Sequence, residues 1–199
     1  EEMEKTFAYG KLSDEGKFSF DLWKQQYEDA RDGAAFMADG YAFDQMNGAQ
    51  SFLPTLLISF HKVDEEADFT AYVARLAATG RAFDQLLERA RKSAGQGIRP
   101  PKFAYEGVID QARKVIAGAP FSAGKDSAIW ADVQSKADAL VKAGKIDAAR
   151  ATTLKDEARK ALLEQFKPAY ERVIAWSEQE LPKAAVNPTG VGATHPNGK

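Results

Sequence analysis

The side chains best suited to metal or acid–base chemistry are few in this sequence. It holds two histidines, His61 and His195, and no cysteine. A helical zinc site of the peptidase kind needs two imidazoles four residues apart with a glutamate after the first, because that spacing stacks both rings on one helix face. Neither histidine has such a partner, and the His-Glu-x-x-His pattern is absent. Without cysteine there is no thiol nucleophile, thiolate ligand or disulfide. The glycines of GVGATHPNG near the end follow no strand and open no helix, so they do not form a phosphate cradle. The carboxylate pairs Glu65-Glu66 and Asp156-Glu157 lie in polar stretches and read as surface charge. Nothing marks an activated serine. No catalytic, cofactor-binding or metal-ligating residue is therefore assigned, and the segment alone does not read as an enzyme.

The bulk composition fits that reading. With 199 residues, 44% hydrophobic and 28% charged, the chain is an ordinary globular sequence able to bury a sizeable core. A net charge of −2 gives no electrostatic case for nucleic acid. No apolar run approaches the ~20 residues a membrane-spanning helix needs. The chain opens on Glu1 rather than methionine, so a preceding leader is expected to have been removed or left out. The Pro/Gly/Asn-rich 184–199 stretch reads as a linker or truncated connection. Residues 1–183 read as a helical portion of something larger.

The elements are those of an all-α fold, an irregular bundle of about six to eight helices. Its organising stretch is Asp68 to Ser93, where Phe69, Tyr72, Val73, Leu76, Phe83, Leu87 and Ala90 share one stripe at 3.6 residues per turn. Asp68 is expected to cap its start and the glycines of SAGQGIRPP to end it. Gly80 costs it roughly 1 kcal/mol against alanine, so packing must hold that turn. A short N-terminal helix and loop precede a helix over 19–30, broken near Gly33, whose Phe20, Trp23 and Tyr27 are expected to be core. Asn47-Gly48 marks a helix–helix connection, since its flanks do not alternate as a hairpin requires. Ser51 is expected to cap a helix with Pro54 in its first turn and Leu53, Leu56, Leu57 and Phe60 buried. His61 ends that helix, where it favours the dipole. Another helix starts at Pro100-Pro101, with Phe103, Val108, Ala112, Val115 and Ile116 on its apolar side. One from Ser127 ends at Gly144, and one capped by Asp147 runs from 148 to 181, kinked at Pro168. Glu88–Lys92 and Asp156–Lys160 are i,i+4 pairs on solvated faces. The polar stretch from Gln45 to Gln50 could line a cleft, although a structural turn suits it better.

The order of LSDEGKFSFDLW, FDQMNGAQSFLPTLL, DFTAYVARLAATGRAFDQLLERARKSAGQGIRPP, FKPAYERVIAW and GVGATHPNGK resembles the N-terminal half of the bacterial "domain of unknown function 885" family, over most of the chain. The resemblance implies a mostly helical protein of several hundred residues, often with a secretory or lipoprotein leader, in the periplasm or cell envelope; a cytoplasmic place is the alternative. It also implies a C-terminal half with a His-Glu-x-x-Pro-Gly-His motif and a downstream glutamate, similar to zinc metallopeptidases. There a metal polarises a carbonyl and activates water, with glutamate as base. This chain stops at Lys199, before any such residue, so no ligand is carried onto it.

Two readings follow. In the first, the chain is the non-catalytic N-terminal portion of a zinc-dependent, peptidase-like hydrolase. It forms one wall of a peptide-substrate cleft and docks on the C-terminal half, which would hold the zinc. In the second it is a self-contained helical binding or scaffold module. A complete module should leave no large apolar patch, whereas half a protein should expose one.

Overall fold

A computed structural model of the chain describes Glu2 and residues 6–188, Ala38 by its backbone alone. The fold is all-α. The described residues form helices α1 (Asp14–Gly33), α2 (Ala49–Thr55), α3 (Glu66–Gly95), α4 (Lys102–Val115), α5 (Ala128–Lys142), α6 (Ala148–Ala161) and α7 (Lys167–Glu180). No strand occurs among them, only a single bridge between Ala119 and Asp126. The GVGATHPNGK stretch with His195 lies outside the described residues. The chain divides into two compact units, 1–40 and 41–199.

In the first unit, α1 begins at Asp14, five residues before the expected start. Ser13 accepts the Gly16 N–H at 3.2 Å, and Asp14 and Glu15 favour the positive end of the helix. Gly33 does not break the chain there, which continues through a 3-10 turn over Ala34–Asp39. Phe20, Trp23 and Tyr27 were expected in a core, but α1 buries no residue. They stack on one another instead, with centroids 5.6 and 5.8 Å apart, and Phe7 lies 5.3 Å from Phe20. A unit of this size has too little chain to cover a stripe.

The second unit has a closed core centred on α3. Phe69, Tyr72, Leu76, Phe83 and Leu87 are buried as the stripe predicts, with Val73 and Ala90 half-buried. The start differs from the expectation. Glu65 is the N-cap and Asp68 the third residue of the helix, where its Oδ2 accepts the N–H groups of Asp64 (3.1 Å) and Glu65 (3.0 Å). This is the reciprocal half of a capping box, so the carboxylate does the same work from inside the helix. At the far end Gly97 has φ +85°, and the N–H groups of Gly97 and Ile98 reach back to Ala94 and Ser93.

Beside α3 lies the 36-residue C-terminal rod of α6, a π-helical turn over Leu162–Phe166, α7 and a 3-10 turn to Lys183. The two run in the same direction: Glu66 meets Arg150, Gly80 meets Gln165 and Asp84 meets Arg172. The helices come close at Gly80, where a Cβ would lie 3.3 Å from Gln165 Oε1 and that side-chain amide would have to shift slightly. The expected disruption at Pro168 takes the form of the widened turn just before it. Lys167 N–H donates to Leu162 O, five residues back, where a regular turn would press the proline ring on the preceding carbonyl. Leu154, Ala158, Ala161, Leu162, Phe166, Tyr170 and Val173 are buried along the rod.

Helix α4 packs on α7 through Tyr105 and Trp176, 5.7 Å apart. Phe103, placed on its apolar side from sequence, is 49% exposed, and Tyr105 and Ile109 are buried. Helix α5 ends as expected: Gly144 has φ +67°, and Gly144 and Lys145 N–H groups return to Val141 and Leu140. Ser127 and Asp147 cap α5 and α6.

Glu180 closes the core at the end of α7. It is buried and pairs with Arg99 (2.9 Å) and Lys183 (2.7 Å). Burial alone raises its carboxyl, but the hydrogen bonds and charges of Lys183 and Arg99 outweigh this and hold it below the ordinary glutamate value. A depressed folded pKa contributes stability above the unfolded pKa, and that stability is lost as pH falls through the folded value. Glu180→Gln is therefore expected to cost about 1–2 kcal/mol at pH 7, with the difference from wild type shrinking below about pH 4. Urea melts at both pH values check it.

Candidate functional site: an apolar groove beside Arg75

Residues 52–60, FLPTLLISF, are apolar on every side of a short helix, more than one face can bury. The structure resolves this by burying Leu57 and leaving others out: Phe52 is 58% exposed, Leu56 38% and Phe60 70%. Leu56 and Phe60 were expected in the buried stripe. A π-helical turn over Leu56–Phe60 follows α2, with His61 N–H donating to Leu56 O at 3.1 Å. It shifts Phe60, at its end, away from the phase a regular helix would give it, whereas the Leu56 N–H still bonds one regular turn back to Phe52 O.

The helix itself starts at Ala49, with Gly48 as N-cap, three residues before the expected cap at Ser51. Ser51 is thus inside it, and its hydroxyl donates to Gln111 Oε1 at 2.9 Å. Pro54 is the sixth residue, not in the first turn, so the Gln50 carbonyl has no ladder donor. The buried Tyr170 hydroxyl supplies one at 2.7 Å. Burial pushes the Tyr170 hydroxyl far above the ordinary tyrosine value, which keeps it a donor. Tyr170→Phe leaves that carbonyl buried and unpaired. It is expected to destabilise the 41–199 unit by about 1–3 kcal/mol in chemical denaturation.

The stretch from Gln45 to Gln50, considered from sequence as a cleft lining, is a structural turn. Gln50 is fully buried, with Nε2 2.5 Å from Asp44 O and 2.8 Å from Gln111 Oε1. Asp44 Oδ1 accepts the Met46 and Asn47 N–H groups, and Gln111 Nε2 donates to Gln45 O at 2.8 Å. Gly107 permits this approach, since a Cβ there would lie 2.6 Å from Gln45 Cβ.

Between the 53–61 segment and α3 lie two hollows. One, of about 190 Å³, is lined by Leu53, Leu56, Leu57, Arg75, Ala78, Thr79 and Ala82. The other, of about 300 Å³, is lined by Leu56, Leu57, Phe60, His61 and Arg75. Leu56, Leu57 and Arg75 belong to both, so the hollows form one groove, and Arg75 is the only formally charged side chain in its walls. His61 stands at its end. Its Nε2 lies 3.0 Å from Asp68 O, its Nδ1 contacts Arg75 Nη1, and its ring is edge-on to Tyr72 at 5.2 Å. A ring with its proton on Nε2 satisfies both contacts.

The groove wall is fixed from behind by α5. The carbonyls of Leu57 and Ile58, at the C-terminal end of the π-helical turn, accept from Lys136 Nζ at 2.9 and 3.4 Å. The same ammonium pairs with Asp132 at 2.7 Å and lies 4.5 Å over the Tyr72 ring. Tyr72 donates to Asp132 at 2.7 Å; burial first, then that carboxylate, push its hydroxyl far above the ordinary tyrosine value. Nothing in the sequence singles out Arg75, Asp132 or Lys136. Their roles depend on which helices are neighbours.

A carboxylate-rich hollow of about 380 Å³ lies between α4 and α7, lined by Glu106, Ile109, Asp110, Arg113, Glu178 and Leu181. Arg113 pairs with Glu178 and Lys114 with Asp110, at 2.5 and 2.6 Å. Glu65 and Glu66, read as surface charge, pair with Lys145 and Arg150, and Glu157 also with Arg150. Among the described residues, no three His, Asp or Glu side chains gather as a metal site. Because His61 already has both nitrogens engaged, these residues do not fit a zinc ion.

The sequence profile of the family described as bacterial protein of unknown function (DUF885) matches residues 1–199, and the chain belongs to that family. Its fold is similar to a solved structure described as "the putative lipoprotein from Colwellia psychrerythraea", with a TM-score of 0.69 and 19% identity. The match covers 77% of this chain and 25% of that one, so the chain spans about a quarter of the length of the structure it resembles. No curated protein matches. Among the described residues, no helix is long and apolar enough to cross a membrane.

Proposed function

We propose that this chain is the non-catalytic, N-terminal helical portion of a longer zinc-dependent, peptidase-like hydrolase of the cell envelope. In this reading it forms one wall of a peptide-substrate cleft and packs against a C-terminal part that holds the zinc. Residues 184–199 serve as the connection between the two. The observation that carries the reading is the exposed apolar surface of Phe52, Leu56 and Phe60, the last two in the lining of the groove, on a unit with its own buried core. Such a surface is costly to leave in water and marks a covered face. Family membership and the greater length of the solved relative support it, as does the description of that relative as a lipoprotein. Since the described residues offer no zinc donor set, no chemical step is assigned to them.

Elemental analysis and a peptide-hydrolysis assay on the full-length parent test the reading. About one zinc per chain and hydrolysis lost on chelation are expected, with neither in residues 1–199 alone. A metal-free parent that is equally active would contradict it. The second reading, a self-contained binding module, is favoured by the closed core of the 41–199 unit. It predicts that residues 1–199 stay monodisperse and soluble with the groove uncovered.

A further inference from the structure

Resting on the reading that a C-terminal part packs on this chain, we infer that the groove beside Arg75 receives an amphipathic helix of that part. This helix would carry two apolar anchors with a carboxylate between them on the same face. The backbone chemistry of the walls selects a helix. Both walls are helical, so their N–H and C=O groups are spent on their own ladders. The two carbonyls at the end of the π-helical turn are already taken by Lys136. An extended peptide lying there would find no edge to pair with, whereas a helix arrives with its backbone satisfied and needs only a groove for its side chains. The α3 wall suits close approach, since Ala78 and Ala82 stand one turn apart in the lining.

Charge supplies the second half of the argument. Arg75 belongs to both hollows, no acid lines either, and the contact with His61 Nδ1 engages one of its five N–H donors. A guanidinium covered by apolar side chains requires a carboxylate, and a planar fork suits a bidentate one. Anchors at i and i+7 with Asp or Glu at i+3 or i+4 place all three on one helix face. One anchor fills the hollow over Ala78 and Ala82, and the other the hollow between Phe60 and His61.

The test is photo-cross-linking in the full-length parent, with p-benzoylphenylalanine at Phe60. The expected product is a cross-link within one chain, to a helical peptide beyond residue 199 that contains Asp or Glu among apolar residues. Arg75→Glu should lower its yield about 10-fold, the effect of a close like-charge contact worth about 1.4 kcal/mol, while Arg75→Lys retains most of it. Ala78→Trp, which fills one hollow without changing charge, should lower it as well. Melting curves of each variant separate this from misfolding. A cross-link to a second copy or to added substrate peptide, no cross-link, or a yield indifferent to Arg75→Glu would overturn the inference. Zinc content and hydrolysis in the same preparation report separately on the proposed function, so either can fail alone.

Discussion

Phe83→Ala is expected to destabilise the 41–199 unit by about 3–5 kcal/mol, the range for truncating a fully enclosed aromatic ring. Phe83 has no exposed surface, lies 5.7 Å from Phe43 edge-on and 4.9 Å from Tyr170, and so joins the turn before α2 to α3 and α7. Little in that neighbourhood can collapse into the space. The Phe43 backbone is next to the Gln111-pinned turn, and Tyr170 is tied by its hydroxyl to Gln50. Against a total of roughly 5–15 kcal/mol for a domain, the loss is large, and the thermal midpoint should fall by on the order of 10 °C. Circular dichroism melts check it, with Val186→Ala, at a 69% exposed position, as the silent control.

The second large effect is expected at Lys136. Its side chain is only 15% exposed and that of Asp132 14%. Lys136→Met keeps the length of the stem and removes the ammonium. The Leu57 and Ile58 carbonyls lose their donor, and Asp132 keeps only the Tyr72 hydroxyl. An expected cost of about 2–4 kcal/mol combines an unpaired, half-buried carboxylate with two orphaned carbonyls. The double variant Asp132→Leu/Lys136→Met should recover part of it, because no buried charge is then left alone. Urea denaturation of both variants measures this, and a double variant less stable than Lys136→Met would contradict the account of the pair.

The helices were legible in the sequence wherever one apolar stripe faced one core. The α3 stripe, the rod from Leu154 to Val173 and the caps at Ser127, Asp147 and Gly144 follow from periodicity and local hydrogen bonding alone. The sequence was least informative where two helical phases or two prolines competed. Pro54 and Pro168 both mark places where a regular ladder is interrupted, but sequence alone did not show that a π-helical turn would absorb the change. That turn is what moves Phe60 from the expected buried stripe to the surface. Phe20, Trp23 and Tyr27 misled for a different reason. Their spacing is that of a core stripe, yet among the described residues of the 1–40 unit α1 leaves none of them buried. Of the groove, only its excess of apolar residues could be read in advance. Arg75, Asp132 and Lys136 come together through helix packing that no local pattern encodes.

The central claim is that Phe52, Leu56 and Phe60 face another part of a longer protein. Hydroxyl-radical footprinting with mass spectrometry reads their exposure directly, side chain by side chain, in residues 1–199 and in the full-length parent. The account predicts that all three are oxidised at least about five times more slowly in the parent, as expected for apolar side chains removed from water, while Phe103 serves as a reference. Equal rates for the three residues in the two proteins would contradict it.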